Sequence, residues 1–185
     1  EIDREILKDL MDKAAIRASH DYTADVANNT AGNFLDRNQA LAHKVSFVAS
    51  EIHRLSKIGP ANFIVTSPTI ANRLETVRGF QSDNAGNIHD VTIGIQSSGT
   101  LPGGKIRVYK DPYFPTNKML IGYKGRTFLD SGYFYCPYVP VKTTPVIYDP
   151  NTLQPRRGMV TRYGKKMVDG GEFLYGVITV SNISG

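Results

Sequence analysis

Cysteine is nearly absent: the chain has one, Cys136, among 185 residues. A single thiol excludes an internal disulfide framework and fits a reducing compartment. No apolar run approaches the roughly 18 residues of a membrane helix, so no membrane partner is expected, and the opening residues form no signal peptide. Histidines 20, 43, 53 and 89 supply no pair spaced i, i+3 or i, i+4 and no cysteine neighbour, which argues against a helical zinc site. Ser97-Ser98-Gly99 is not the G-x-S-x-G elbow, and no His and Asp are spaced to complete a triad. Asp83, Asn84, Asn87 and Asp90 lack the spacing of a calcium-binding loop and read as solvated turn residues. No catalytic residue, cofactor or metal is therefore assigned, and the chain is read as something other than an enzyme.

One spacing does match a chemical motif. Gly99-Thr-Leu-Pro-Gly-Gly104-Lys105 fits the G-x-x-x-x-G-K of a phosphate-binding loop. The next residue is Ile106, with no hydroxyl for Mg²⁺, and the lysine opens an Ile-Arg-Val-Tyr strand pattern instead of a helix whose amides would hold phosphate. A glycine turn before a strand is the expectation.

The composition, 41% hydrophobic and 21% charged, supports a packed core in one domain or two small lobes. The net charge of +5 would suit a nucleic-acid partner. The basic residues are scattered singly or in pairs such as Arg156-Arg157 and Lys165-Lys166, without a basic block, so a solvated surface accounts for them as well. Cys136, with no His or Lys beside it to favour thiolate, is expected to be a buried apolar thiol.

Along the chain, Ile2, Ile6, Leu10 and Ala14 form one stripe joined by Leu7 and Met11, which predicts an amphipathic helix over 2–18. Residues 21–33 read as an irregular connection. Leu41, Val45, Val48, Ile52 and Leu55 recur at helical steps within a second helix from Asp36 to Lys57, stopped by Gly59-Pro60. Phe63 to Thr66 is a short strand, with Ser67 as N-cap and Pro68 as first residue of a helix to about Val77. A long exposed loop is expected over 79–90, then strands near 91–95, 105–109 and 118–124. Tyr133 to Lys142, Pro145 to Tyr148, Met159 to Tyr163 and Phe173 to Val180 continue the β pattern, with Asp149-Pro150-Asn151 turning the tip of a long hairpin. Helices ahead of strands argue for an α+β fold. Pro137, Pro140 and Pro145 cannot donate ladder hydrogen bonds, so this stretch is an edge strand or an interrupted one, and an edge invites a partner.

The run from Ser131 to Gly164 alternates tyrosine, β-branched residues and proline with almost no acid, base or nucleophile. Its ends, Gly-Tyr-Phe-Tyr-Cys-Pro-Tyr at 132–138 and Thr-Arg-Tyr-Gly at 161–164, resemble a signature pair of the major capsid proteins of tailed bacteriophages of the T4-like myovirus type. The opening Glu1-Ile2-Asp3-Arg4-Glu5-Ile6, Asn62-Phe63-Ile64-Val65, Gly103-Gly104-Lys105 with Arg107-Val108-Tyr109, Gly122-Tyr123-Lys124-Gly125 and Asp130-Ser131-Gly132 resemble the same family in the same order. That family has an N-terminal arm, an extended loop and a spine helix before this point, so the chain is read as its C-terminal portion.

The resemblance implies an HK97-like fold, with a peripheral-domain segment over 1–24, an axial domain over 25–130 and a peripheral sheet and hairpin over 131–185. It implies a structural subunit of an icosahedral head, self-assembling into hexamers and pentamers around double-stranded DNA that it meets without sequence specificity. The implied location is the virion, assembled in the host cytoplasm, and the implied partners are other copies of the chain together with decoration, scaffold and portal proteins. Phe80, Gln81, Asp83, Asn84, Asn87 and His89 would line the capsomer axis. Tyr148, Asp149, Asn151, Gln154, Arg156 and Arg157 would form an inter-capsomer hairpin, and Tyr133, Tyr135 and Tyr138 edge-strand contacts. The alternative is a basic nucleic-acid-binding domain, which requires a clustered positive face and aromatic platforms.

Overall fold

The computed structural model describes residues 2–22, 34–83 and 94–182. Helix α1 (Ile2–Lys13) has Asp3 and Glu5 in its first turn and Lys13 in its last, the charge order that the helix dipole favours. It stops five residues short of the expected end, because Ala15–Asp21 is strand β1. The competing force is long-range pairing: β1 lies parallel to the last strand, with Ala15 opposite Gly176 and Asp21 opposite Ser181. A local apolar period carries no information about such a partner.

Helix α2 (Phe34–Ser56) buries Leu41, Val45, Val48 and Ile52, the stripe read from the sequence. Strand β2 (Phe63–Thr66) leads through Ser67 into helix α3 (Pro68–Glu75). Ser67 holds the N-cap position with an extended backbone, but its hydroxyl makes no cap hydrogen bond. Strands β3 (Gln81–Ser82), β4 (Gln96–Thr100), β5 (Arg107–Lys110) and β6 (Lys118–Gly122) follow. The strand expected near 91–95 is thus β4, further along, while 91–93 fall outside the described residues. Pro102 to Gly104 is a turn, with Gly103 and Gly104 in the left-handed region, and it delivers the chain into β5 and not into a helix.

These strands and β11 (Tyr175–Ser181) form one seven-stranded sheet in the order β1-β11-β6-β2-β5-β4-β3. Its β1–β11 and β2–β5 pairs are parallel and the others antiparallel. The period of two sorts side chains onto two faces. Met119 and Ile121 of β6, Ile64 of β2 and Ile178 of β11 pack under α2 and α3. Leu120, Val65 and Val177 from the same strands pack with Leu10 and Ala14 at the end of α1. The architecture is mixed α+β around a mainly β core. The helices are less segregated than expected, since β1 and β2 lie among them.

Strands β7 (Tyr133–Thr143) and β10 (Met159–Met167) form a separate antiparallel ribbon. It continues into a hairpin of β8 (Ile147–Tyr148) and β9 (Pro155–Arg156). The register slips once between Val160 and Arg162 and once between Arg162 and Tyr163. At both places β7 has one residue more than β10, at Tyr138 and at Pro140-Val141, so Pro140 sits within one break of the ladder and Pro137 beside the other. Cys136 is exposed, which corrects the expected buried thiol: a two-stranded ribbon has no second layer to cover it.

Candidate assembly interface

The ribbon is fastened to the body at its root. The Lys165 ammonium lies 2.6 Å from Glu5 Oε1 and 2.7 Å from Asp9 Oδ2, both on α1. The Tyr133 hydroxyl donates to Asp9 Oδ2 at 3.1 Å, and the Tyr163 hydroxyl donates to Glu5. Hydrogen bonds from Lys165 hold both carboxyls below their ordinary values, and the two carboxylates raise Lys165 in turn. Burial, reinforced by the bond to Asp9, pushes Tyr133 up to about 12. Helix α1 presents Glu5 and Asp9 one turn apart on the face it turns to β10. Behind this cluster Gly132 and Gly171 meet backbone to backbone: a Cβ on Gly171 would stand 2.4 Å from the Gly132 oxygen. The rings of Phe128 and Phe134 lie 4.3 Å apart at the same root.

The tip is organised by Asp149. Its carboxylate accepts the Asn151 amide at 3.0 Å and pairs with Arg156 at 2.8 Å, while its carbonyl accepts the Leu153 amide at 2.8 Å. Leu153 is held at φ 52°, in the left-handed region, and projects 77% exposed. Tyr148, Asn151, Gln154, Arg156 and Arg157 are exposed and Asp149 is half-buried. Along the ribbon Tyr138 is exposed, the tilted rings of Tyr135 and Tyr163 lie 5.2 Å apart, and Tyr133 is half-buried against α1.

The residues expected at a capsomer axis divide. Phe80 packs against the core, Gln81 pairs with Thr100, and the Asp83 carboxylate accepts from Ser97 and stands 4.0 Å from Arg107. Asn84, Asn87 and His89 lie outside the described residues.

Reading the basic residues as scattered missed a concentration. Residues 133–167 carry Lys142, Arg156, Arg157, Arg162, Lys165 and Lys166 against one acid, Asp149, so the ribbon alone has the chain's whole net charge of +5 and the rest sums to zero. Counting signs across the two strands of a hairpin, instead of searching for a contiguous block, would have found it. Among the described residues no group of three or more His, Cys, Asp or Glu is placed to hold a metal ion, and no helix is long and apolar enough to cross a membrane.

The described residues thus form an α+β body that extends a basic, tyrosine- and proline-rich ribbon whose outer edges pair with no other described strand. The chain belongs to the family of the Major capsid protein Gp23, whose model matches residues 1–172. It is 34% identical over 139 residues to the "Major capsid protein" of Enterobacteria phage T4, covering 68% of this chain and 25% of that protein. It is equally similar, over the same length, to that of Enterobacteria phage T6. With the "Major capsid protein" of Serratia phage KSP90 it shares 31% identity over 173 residues, 89% of this chain and 38% of the relative. The chain thus spans about a quarter to two fifths of the relatives it matches. A solved chain from Mycobacterium phage Patience aligns with 94% of this chain and 49% of its own length, at 8% identity and a TM-score of 0.37, too loose a likeness to fix a fold.

Proposed function

We propose that this chain is the assembling part of a phage head subunit: a structural protein, folded in the HK97-like manner, that forms hexamers and pentamers enclosing double-stranded DNA. The observation that carries this reading is the ribbon itself. An isolated two-stranded ribbon is marginal in water, yet this one is pinned at its root and exposes apolar residues and both edges along its length. Such a surface is completed by protein from outside.

Residues 1–24 and 131–185 then form the peripheral domain and 25–130 the axial domain. The parallel pairing of β1 with β11 joins the chain's two ends, and the core around Leu10, Met167, Leu174 and Val177 also takes in Val65, Phe114 and Leu120 of the 25–130 segment. In this reading the segment 79–90 lines the capsomer axis, and the hairpin around 149–157 meets a neighbouring capsomer. Copies of the chain are the principal partners, with scaffold, portal and decoration proteins and packaged DNA as further ones. The setting is the virion, assembled in the host cytoplasm.

A second reading, a basic nucleic-acid-binding domain, is favoured by one observation, the +5 gathered on the ribbon beside Tyr135 and Tyr163. Negative-stain electron microscopy of the full-length protein separates the two. Rings, tubes or closed shells are expected. Uniform monomers that assemble under no condition and bind DNA with steep salt dependence would replace the first reading by the second.

A further inference from the structure

The hairpin tip and the ribbon root are both apolar and carry opposite charge. At the ribbon root, Phe128 is 72% and Leu129 90% exposed, and Phe173 is also exposed. Residues 126–132 and 168–174 are held side by side there by the Gly132–Gly171 backbone contact and by the Val168 amide donating to the Gly132 carbonyl at 3.0 Å. Together they carry Asp130, Asp169 and Glu172 against Arg126 alone, so the root is apolar and acidic. The tip is apolar and basic: Ile147, Tyr148, Leu153 and Met159 are exposed, and residues 142–160 carry Lys142, Arg156 and Arg157 against Asp149. Net charges of −2 and +2 match in magnitude and oppose in sign.

We propose that the tip of one copy seats on the root of a second copy, a head-to-tail contact between two different patches of one chain. The proposal rests on the reading of the chain as an assembling subunit. The two patches of a single copy are kept apart, because the ribbon runs extended between them: β7 from Phe134 to Lys142 lies opposite six residue steps of β10, or about 20 Å at the rise of a strand. A contact joining unlike patches closes into rings or runs on without limit, which is the connectivity a shell needs. Leu153 adds a second line. The turn closed by the Leu153 amide on the Asp149 carbonyl sets its backbone, and the apolar side chain that this turn projects into water, 77% exposed, is covered if a neighbour seats on it. A polyanion would use the arginines, but gains nothing from Leu153, Ile147 and Met159.

The test uses the full-length protein in a background in which Cys136 and any cysteine outside these residues are replaced by serine. Leu153→Cys combined with Leu129→Cys is expected to give, on mild oxidation, a ladder of disulfide-linked oligomers, whereas either substitution alone stops at dimers. Arg157→Glu and Glu172→Arg are each expected to lower the assembled fraction at least about tenfold, since like charges face each other. The double variant is expected to restore it. If the unsubstituted protein assembles but the cysteine pair gives no ladder and both reversals assemble normally, the tip seats elsewhere and the inference is overturned while the shell reading stands. If the unsubstituted protein never assembles, the shell reading itself falls and takes the contact with it. If Arg157→Glu instead abolishes salt-dependent binding of a short DNA duplex and leaves assembly intact, the tip is a polyanion site and the contact is refuted.

Discussion

Tyr133 of the ribbon and Asp9 of α1, 124 positions apart, share a hydrogen bond of 3.1 Å that ties the ribbon to the body. Its dependence on pH follows from the directions of the shifts. Glu5 and Asp9 are lowered from 4.5 and 3.8, so they contribute stability that is present above those values and lost as pH falls through their depressed folded values. Tyr133 is raised from 10.0 to about 12, so its contribution is complete below pH 10 and lost between there and about pH 12. Hydrogen exchange of β10 amides against pH should therefore show loosening of the ribbon at both extremes, with the sheet still protected. Tyr133→Phe should weaken the alkaline step, part of which Tyr163 and Lys165, both also raised by the carboxylates, retain, and should keep the acid one. A ribbon equally protected across the range would refute the tie.

The root has no room for a side chain. A Cβ on Gly132 would stand 2.9 Å from the Gly171 oxygen, and one on Gly171 would stand 2.4 Å from the Gly132 oxygen. Gly171→Ala should shift the ribbon root and lower stability by about 1–3 kcal/mol. Gly164→Ala, where nothing lies within 4 Å, should cost little. Urea unfolding of the two variants checks the contrast.

Ile121 of β6 is fully buried in the core under α2, whereas Leu129 is almost fully exposed. Ile121→Ala should cost about 2–5 kcal/mol through lost burial and the cavity left behind. Leu129→Ala should leave the unfolding midpoint of the unassembled protein nearly unchanged. Its effect is reserved for assembly.

The Cys136 thiol should react completely with a soluble thiol reagent under native, unassembled conditions. Protection of that thiol until denaturant is added would contradict the exposed ribbon face.

Much of this was legible in the chain. Helix α2, strand β2 and the Ser67-Pro68 entry to α3 declare themselves through apolar period and local turn chemistry, and the prolines of β7 announced an unpaired edge. What failed depended on partners distant in sequence. Residues 15–18 fall within the helix expected over 2–18, yet Ala15, Ile16 and Ala18 pair with β11, some 160 positions on. Cys136 in a tyrosine-rich strand resembles a core residue until the ribbon is seen to lack a second layer. The charge of the ribbon is invisible as a block because the two strands that share it are separated by the hairpin. The resemblance to phage capsid proteins rested on motifs spread along the chain, and the match of the family model over residues 1–172 has the same breadth.

The most direct measurement is a reconstruction by cryo-electron microscopy of particles assembled from the full-length protein. The account predicts closed shells in which density for residues 133–167 of every subunit lies against a neighbouring copy, with the 149–157 tip buried. Particles in which that ribbon stands free of any neighbour would contradict it.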